Sequence, residues 1–169
     1  MSSYIGLALG IMLLSPTLQS LPGRARSVTR MQNRVIAIEY GRPELQNRRV
    51  EDLIVPNIVW RLGADMPTTL YTEAALVFGD NRLSAGSYTL LAQYDGSAWS
   101  LIFNSDSELA SPNQRDLQKD ILRVGMREVA TRNSVDVLTI NIEQTHSANG
   151  IISVAWGTRK LTVPFAIAK

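Results

Sequence analysis

The most informative segment of the chain is GSYTLLAQYDGSAWSLIF, residues 86–103. Apolar and aromatic residues alternate with their neighbours over residues 88–94 and again over residues 99–103. Alternation with a period of two is typical of a β-strand that buries one face. The Asp95-Gly96 pair between the two runs favours a tight turn with positive φ. The segment therefore predicts two neighbouring antiparallel strands joined by a hairpin.

Short runs with one apolar face recur along the chain, at residues 34–40, 122–126, 138–142, 152–156 and 161–165. We expect the last two runs to form a closing hairpin around Gly157-Thr158. Many one-sided strands bury their apolar faces when two sheets pack face to face. The sequence thus predicts an all-β fold, an antiparallel two-sheet β-sandwich of about eight or nine strands, with a barrel as the alternative.

Two segments interrupt the alternation. Residues 41–68 contain three prolines and are predicted to form one long irregular connection. Residues 105–120 are polar, and Ser111 followed by Pro112 predicts a single helical turn. Irregular connections of this length are uncommon and often functional.

The composition limits the available chemistry. The chain has 169 residues, 45% hydrophobic and 19% charged, which is typical of one packable domain. It has no cysteine and one histidine. Disulfides, thiolate metal sites and multi-histidine clusters are therefore excluded. We expect neither a metal nor another cofactor.

The N-terminal segment resembles a secretory leader. Residues 4–14 form an uncharged apolar run that is too short to span a bilayer and has the length of a signal-peptide core. We expect residues 1–27 to be a signal peptide and residues 28–169 a single sandwich domain, exported to the periplasm or the extracellular space. A buried N-terminal helix is the alternative.

The cleavage site depends on small residues before the cut. Ala25 and Ser27 are the first choice, and Leu18 and Ser20 are the second. Cleavage after Ser27 leaves 15 basic and 15 acidic residues. A neutral chain lacks the concentrated basic surface that nucleic acids require, so we expect no nucleic-acid partner. We also expect no stable membrane span after cleavage.

Several motifs occur in a fixed order: IEYGRP at residues 38–43, VP at 55–56, VWRLGAD at 59–65, LSAGSYTL at 83–90 and DILRV at 120–124. In this order the motifs resemble domain-of-unknown-function family 2911. The resemblance covers roughly residues 34–164. It implies an exported, antiparallel β-rich domain with no established activity.

The chain departs from the family pattern at several positions. Gly41 stands for the usual Ser, Asp65 for Asn and Ser84 for Pro, and one residue fewer separates the VP and VWR motifs. The family's later Trp-Gly pair is absent, and residues 107–112 take its place. If that segment determines specificity, the ligand of this member differs.

Seven residues from the two arms of the long connection form the candidate ligand-binding site: Glu39, Tyr40, Arg42, Trp60, Arg61, Asp65 and Thr68. In this hypothesis Trp60 supplies an apolar wall. Arg42 and Arg61 orient an anionic or polar group, because arginine offers planar bidentate donors. Asp65 holds an arginine in place. The alternative is a structural clasp for the loop, with Trp60 closing one end of the sandwich.

Other candidate chemistry is weaker. His146 could act as a base near Glu143, but a solvated loop histidine is the simpler interpretation. Asn104, Asp106 and Glu108 alternate like calcium ligands but lack a complete ligand loop. No nucleophile motif is present.

The sequence therefore predicts an exported domain that binds a small ligand, a glycan or a protein partner without catalysis. One alternative is a hydrolase that uses a carboxylate near Trp60–Asp65, with Glu39 or Asp65 as the base. The other alternative is a purely structural envelope module.

Overall fold

The structure is a computed structural model, and it describes residues 23–169. Ten strands lie along this part of the chain: β1 Arg24–Met31, β2 Arg34–Gly41, β3 Val59–Trp60, β4 Thr69–Thr72, β5 Leu76–Phe78, β6 Asn81–Leu83, β7 Gly86–Tyr94, β8 Trp99–Asn104, β9 Asp120–His146 and β10 Asn149–Ile167. Three short 3-10 turns lie between them, at Val50–Asp52, Pro112–Gln114 and Leu117–Lys119. The all-β prediction is confirmed.

All strand pairings are antiparallel, in the order β1-β2-β4-β7-β8-β9-β10-β5-β6, with β3 added beside β7. The long strands β9 and β10 belong to both halves of the sheet, which folds over on itself into two layers. The two ends of β10 meet, since the Ile167 N–H donates to the Ala148 carbonyl at 2.8 Å. The result is the predicted antiparallel sandwich.

The core lies between the two layers. Ile36 and Ile38 of β2 are fully buried in one cluster with Leu138 and Ile140 of β9. These residues occur at alternate positions, and strand geometry sends alternate side chains to the same face. The predicted inward faces of β2, β7 and β8 are thus confirmed.

A short turn lies at residues 79–80, and the turn at residues 95–98 forms as predicted. The first joins β5 to β6, and the second joins β7 to β8. In the second, Asp95 Oδ1 accepts the N–H groups of Ser97 and Ala98, each at 2.8 Å. These hydrogen bonds hold the pKa of Asp95 below its ordinary value. Ser111 caps the 3-10 turn that starts at Pro112, also as predicted.

The predicted closing hairpin at Gly157-Thr158 is wrong. The residues on both sides of Gly157 belong to the single strand β10, which pairs with β9 from Asn149 to Thr162. Gly157 has φ +58° at a bulge in this pairing, so the chain bends there without a turn. Likewise, the runs at 122–126 and 138–142 are parts of one strand, β9. A bulged strand retains alternation on each side of the bend, which is why the sequence pattern resembles two strands.

Strand β1 begins inside the predicted leader. Residues 24–27 pair with residues 38–41 of β2. The Ile142 N–H of β9 donates to Ser27 Oγ at 2.9 Å. The apolar run at residues 4–14 lies outside the described residues, and the signal peptide stays a prediction. Of the two cleavage sites, the one after Ser20 leaves β1 intact.

Candidate functional site

A cleft of about 540 Å³ opens on the outer face of the sheet formed by β1, β2, β4, β7 and β8. Its lining comes from the sheet and from two irregular segments: Arg24, Glu39, Asp65, Met66, Pro67, Thr69, Ser107, Glu108 and Ala110. Glu39 and Thr69 are register partners on neighbouring strands and form part of the floor. Residues 65–67 form one wall, and residues 107–110 form the other.

Strand alternation decides which predicted site residues reach the cleft. Glu39 points outward, where its carboxylate lies 3.3 Å from Arg26 Nε. Tyr40 is the next residue along β2, and its side chain is therefore directed into the core, where it is 4% exposed. Of these two neighbouring motif residues, Glu39 therefore faces the cleft and Tyr40 faces the core.

The first wall is a tightly anchored loop. Arg61 Nη1 donates to the Asp65 carbonyl at 2.8 Å, and the buried Thr68 hydroxyl donates to the Leu62 carbonyl at 2.8 Å. Leu62 and Asp65 have φ values of 55° and 63°, a left-handed conformation that is unfavourable for residues other than glycine. The anchors hold the loop in this conformation. The Asp65 side chain remains exposed beside the cleft.

The loop also packs against the start of the long connection. The Ala64 backbone lies so close to Gly41 that a Cβ atom at position 41 would overlap it. Position 41 therefore has no room for a side chain in this arrangement. Arg24 adds a third anchor, because its Nη2 donates to the Pro67 carbonyl at 3.1 Å.

The second wall is the polar segment that follows β8. Leu109 is buried against Leu91 and Ile102 on the outer face of the sheet. Thr89 Oγ1 donates to the Asp106 carbonyl at 2.6 Å, and Lys119 Nζ lies 3.0 Å from Asp106 Oδ2. The Lys119 hydrogen bond, with help from the Glu108 N–H, holds the pKa of Asp106 below its ordinary value. These contacts present the exposed Glu108 side chain to the cleft.

The remaining predicted site residues lie elsewhere. Trp60 stacks on Trp156 with ring centroids 5.6 Å apart and planes 9° from parallel, at one end of the core. Thr68 is buried behind the loop, and Arg42 is exposed without lining the cleft. The Arg61 guanidinium donates to the backbone of the loop and does not line the cleft. The structure therefore brings Glu39 and Asp65 to one cleft, while the other five candidates lie outside its lining.

Sequence reasoning missed Arg24, Thr69 and Glu108. Arg24 lies in the segment that the sequence predicts to be a leader. Thr69 joins Glu39 only through the pairing of β2 with β4, which sequence alone does not specify. Glu108 was considered only as a calcium ligand. One signal in the sequence bears on Glu108: residues 107–112, which include it, stand where the family has a Trp-Gly pair.

The weaker candidates do not assemble into sites. Asn104 is buried and its amide donates to Asp120 Oδ1 at 2.8 Å, while Asp106 pairs with Lys119. His146 is exposed where β9 ends. Among residues 23–169, no group of three or more histidine, aspartate or glutamate side chains is placed to hold a metal ion. Within the same range, no helical segment has the length and apolarity needed to cross a membrane.

Fold and site together define an all-β sandwich domain with a loop-walled cleft on one sheet. The chain belongs to the family described as Protein of unknown function (DUF2911), whose sequence model matches residues 23–165. The match confirms the resemblance and begins one residue before β1. No curated protein and no solved structure matches the chain.

Proposed function

We propose that this chain is an exported, non-catalytic binding domain that holds a small polar ligand in the outer-face cleft. The observation that carries the proposal is the cleft itself, about 540 Å³ in volume and lined from four separate stretches of the chain. Small-molecule sites usually have volumes of about 300–1,000 Å³ and a few convergent polar groups. The leader-like run at residues 4–14 supports export.

The lining favours a ligand that donates hydrogen bonds. Asp65 and Glu108 are exposed carboxylates without an ion-pair partner among residues 23–169, and ionised carboxylates only accept hydrogen bonds. Arg24, the cationic residue of the lining, already donates to main-chain carbonyls. Hydroxyl or amino groups, as in a sugar or an amino sugar, match this lining better than an anion does.

A structural module is the second candidate. It is favoured by the bond from Arg61 to the Asp65 carbonyl and the bond from Thr68 to the Leu62 carbonyl, which suffice to hold the loop without any ligand. In this alternative the cleft is a by-product of two loops that cover the sheet.

Thermal shift on protein purified after expression of the full chain tests both candidates. The panel holds sugars, amino sugars and dicarboxylic acids of similar size. A ligand at one hundred times its Kd stabilises the native state by about 2.7 kcal/mol, which is readily detected. We expect sugars or amino sugars to raise the melting temperature. Asp65→Asn and Glu108→Gln should abolish the shift, whereas the control Glu143→Gln, on exposed β9 surface, should retain it.

Two results would contradict the proposal. A shift given only by dicarboxylic acids, and lost in Arg42→Ala, would restore the anion-binding hypothesis. No shift with any compound, together with full stability of the Asp65 and Glu108 variants, would support the structural module.

A further inference from the structure

The floor of the cleft continues along the outer face of the sheet. Glu39 and Thr69 are register partners in the floor. Strand geometry sends alternate side chains to one face, so Ala37 of β2 and Tyr71 of β4 lie on the same outer face as these two residues. Ala37 and Tyr71 are also register partners. An antiparallel strand rises about 3.4 Å per residue, which places Tyr71 about 7 Å beyond Thr69 along β4.

Tyr71 presents its side chain to solvent at this position. Its neighbours Leu70 and Thr72 are buried, whereas Tyr71 is 44% exposed. Within residues 23–169 its hydroxyl forms no hydrogen bond and its ring stacks on no other aromatic ring. A tyrosine ring combines a large apolar surface with one polar end, and tyrosine is enriched at recognition surfaces. Tyr71 is therefore an aromatic surface available beside the cleft.

An apolar row extends from Tyr71 across the neighbouring strands. Ala37 follows Tyr71 on β2, and Val28 follows Ala37 on β1. Val28 is 52% exposed, and Ala37 is buried although it lies outside the core cluster. Neighbouring strands are about 4.8 Å apart, so the row is about 10 Å long. Scattered apolar residues need no explanation at a surface, but these three adjoin one another and the cleft floor.

Hydrogen-bonding groups border the apolar row on both sides. On the cleft side the next row consists of Thr69, Glu39 and Arg26. On the other side lies the exposed Glu73, whose Oε2 also accepts a backbone N–H of β2 at 2.7 Å. Each ionised carboxylate has several lone pairs and can accept further hydrogen bonds. The outer face thus combines an apolar strip with hydrogen-bond acceptors along its borders.

A pyranose ring has the chemistry that matches this face. Its C–H groups form an apolar surface, and its hydroxyl groups project around the rim. We propose that the ligand is a linear oligosaccharide, with one sugar ring inside the cleft and the next ring stacked on Tyr71. The negative face of the aromatic ring attracts the sugar C–H groups, and Glu39 and Glu73 accept its hydroxyl hydrogens. This inference rests on the proposed function and extends it from one small ligand to a chain of sugars.

The exposure of Tyr71 also has a simpler explanation. Tyrosine is enriched in strands because its side chain fits a pleated, half-buried surface, whatever the function of the protein. In that explanation a second sugar ring adds no affinity. Stacking on Tyr71 predicts instead that a disaccharide binds more tightly than its monosaccharide.

Isothermal titration calorimetry of the purified protein measures the contribution of the second ring. The probes are two matched pairs, glucose with its disaccharide cellobiose and glucosamine with its disaccharide chitobiose. We expect at least one disaccharide to bind about fivefold more tightly than its monosaccharide, since one aromatic contact contributes a factor of this order.

Variants at position 71 assign this gain to the ring. Tyr71→Ala should reduce the disaccharide affinity to that of the monosaccharide and leave monosaccharide binding unchanged, because Tyr71 does not line the cleft. Tyr71→Leu retains an apolar side chain without the ring and should behave in the same way. Tyr71→Phe keeps the ring and should retain the gain. The control Val129→Ala, at exposed β9 surface, should leave both affinities unchanged.

Two results would overturn the inference and leave the proposed function in place. Equal binding of monosaccharide and disaccharide would make Tyr71 an ordinary strand residue. An undiminished gain in both Tyr71→Ala and Tyr71→Leu would place the second ring elsewhere. Asp65→Asn tests the proposed function separately, because disaccharide binding that this variant retains and Tyr71→Ala weakens would contradict the cleft as the site. Absence of binding by all four sugars would overturn both.

Discussion

Arg61 shows how one side chain can support a site without touching a ligand. Its guanidinium donates to the Asp65 carbonyl, within a loop that has two residues in the left-handed conformation. Each such residue costs about 1–3 kcal/mol, and the conformation persists only where the surroundings hold it in place. The hydrogen bond from Arg61 therefore offsets part of the conformational cost of the loop, and it fixes the position of Asp65 beside the cleft.

We expect Arg61→Ala to lower the free energy of unfolding by about 0.5–1.5 kcal/mol, the net value of a typical hydrogen bond, because this bond is exposed. The measurement is urea unfolding of the variant beside Arg42→Ala. Arg42 is exposed and its side chain makes no hydrogen bond within residues 23–169, so its removal should cost less than about 0.5 kcal/mol. Equal losses in the two variants would show that the Arg61 contact contributes no stability.

Glu39 and Asp65 are the two predicted site residues that line the cleft, and both cases have a local cause. Alternation along β2 assigns Glu39 to the outer face, and a polar residue in a loop is expected at the surface. Trp60 lies outside the cleft lining for a tertiary reason. It pairs with Ala92 of β7 and stacks on Trp156, which is 96 positions further along the chain.

At the level of elements, β1 is the strand that the sequence pattern hid. The sequence pattern divides its residues between a leader and the domain, because small and basic residues before Val28 resemble a cleavage region. In the fold they close one side of the sandwich. Arg26 pairs with Glu39, and Ser27 accepts the Ile142 N–H.

A chain that starts at Val28 should be less stable than one that starts at Gly23 by about 2–4 kcal/mol, since several hydrogen bonds of about 0.5–1.5 kcal/mol each are lost. Urea unfolding of the two chains measures the difference. Equal stability would show that residues 24–27 do not support the sandwich. In exported protein, mass spectrometry should find an N-terminus at or before Gly23.

Strands β9 and β10 show why element boundaries are difficult to predict. Each passes from one layer to the other through an irregular stretch, and Gly157 supplies the positive φ at the bulge in β10. A side chain at position 157 would also meet Val50 at 2.9 Å. The glycine indicates a change of direction, but only the partner strand determines whether the chain turns or bends.

At the level of the whole molecule, several carboxylates link stability to pH. The Lys119 hydrogen bond lowers the pKa of Asp106, and the Ala98 and Ser97 N–H groups lower the pKa of Asp95. Glu51 has a lowered pKa because of a backbone hydrogen bond and the nearby Arg159. Each group binds protons more weakly in the folded chain than in the unfolded chain.

Stability from these groups is fully present above the unfolded carboxyl range, near pH 4, and is lost as the pH falls through the folded pKa values. We therefore expect the melting temperature to be constant from pH 7 to about pH 5 and to fall steeply below about pH 4. Thermal scans across this range provide the measurement. Asp106→Asn should be less stable at pH 7 and less sensitive to acid, and an unchanged acid slope would exclude Asp106 as a contributor.

The sequence by itself determined the all-β class, the inward faces of the strands, the hairpin turn at residues 95–98 and the family. Each of these depends on residues close together in the chain, where alternation and turn chemistry act directly. Only the tertiary structure decided the strand order, the continuity of β9 and β10, and the cleft. These features depend on pairings between distant residues, such as Glu39 with Thr69, because a sheet brings together positions whose separation along the chain carries no local signal.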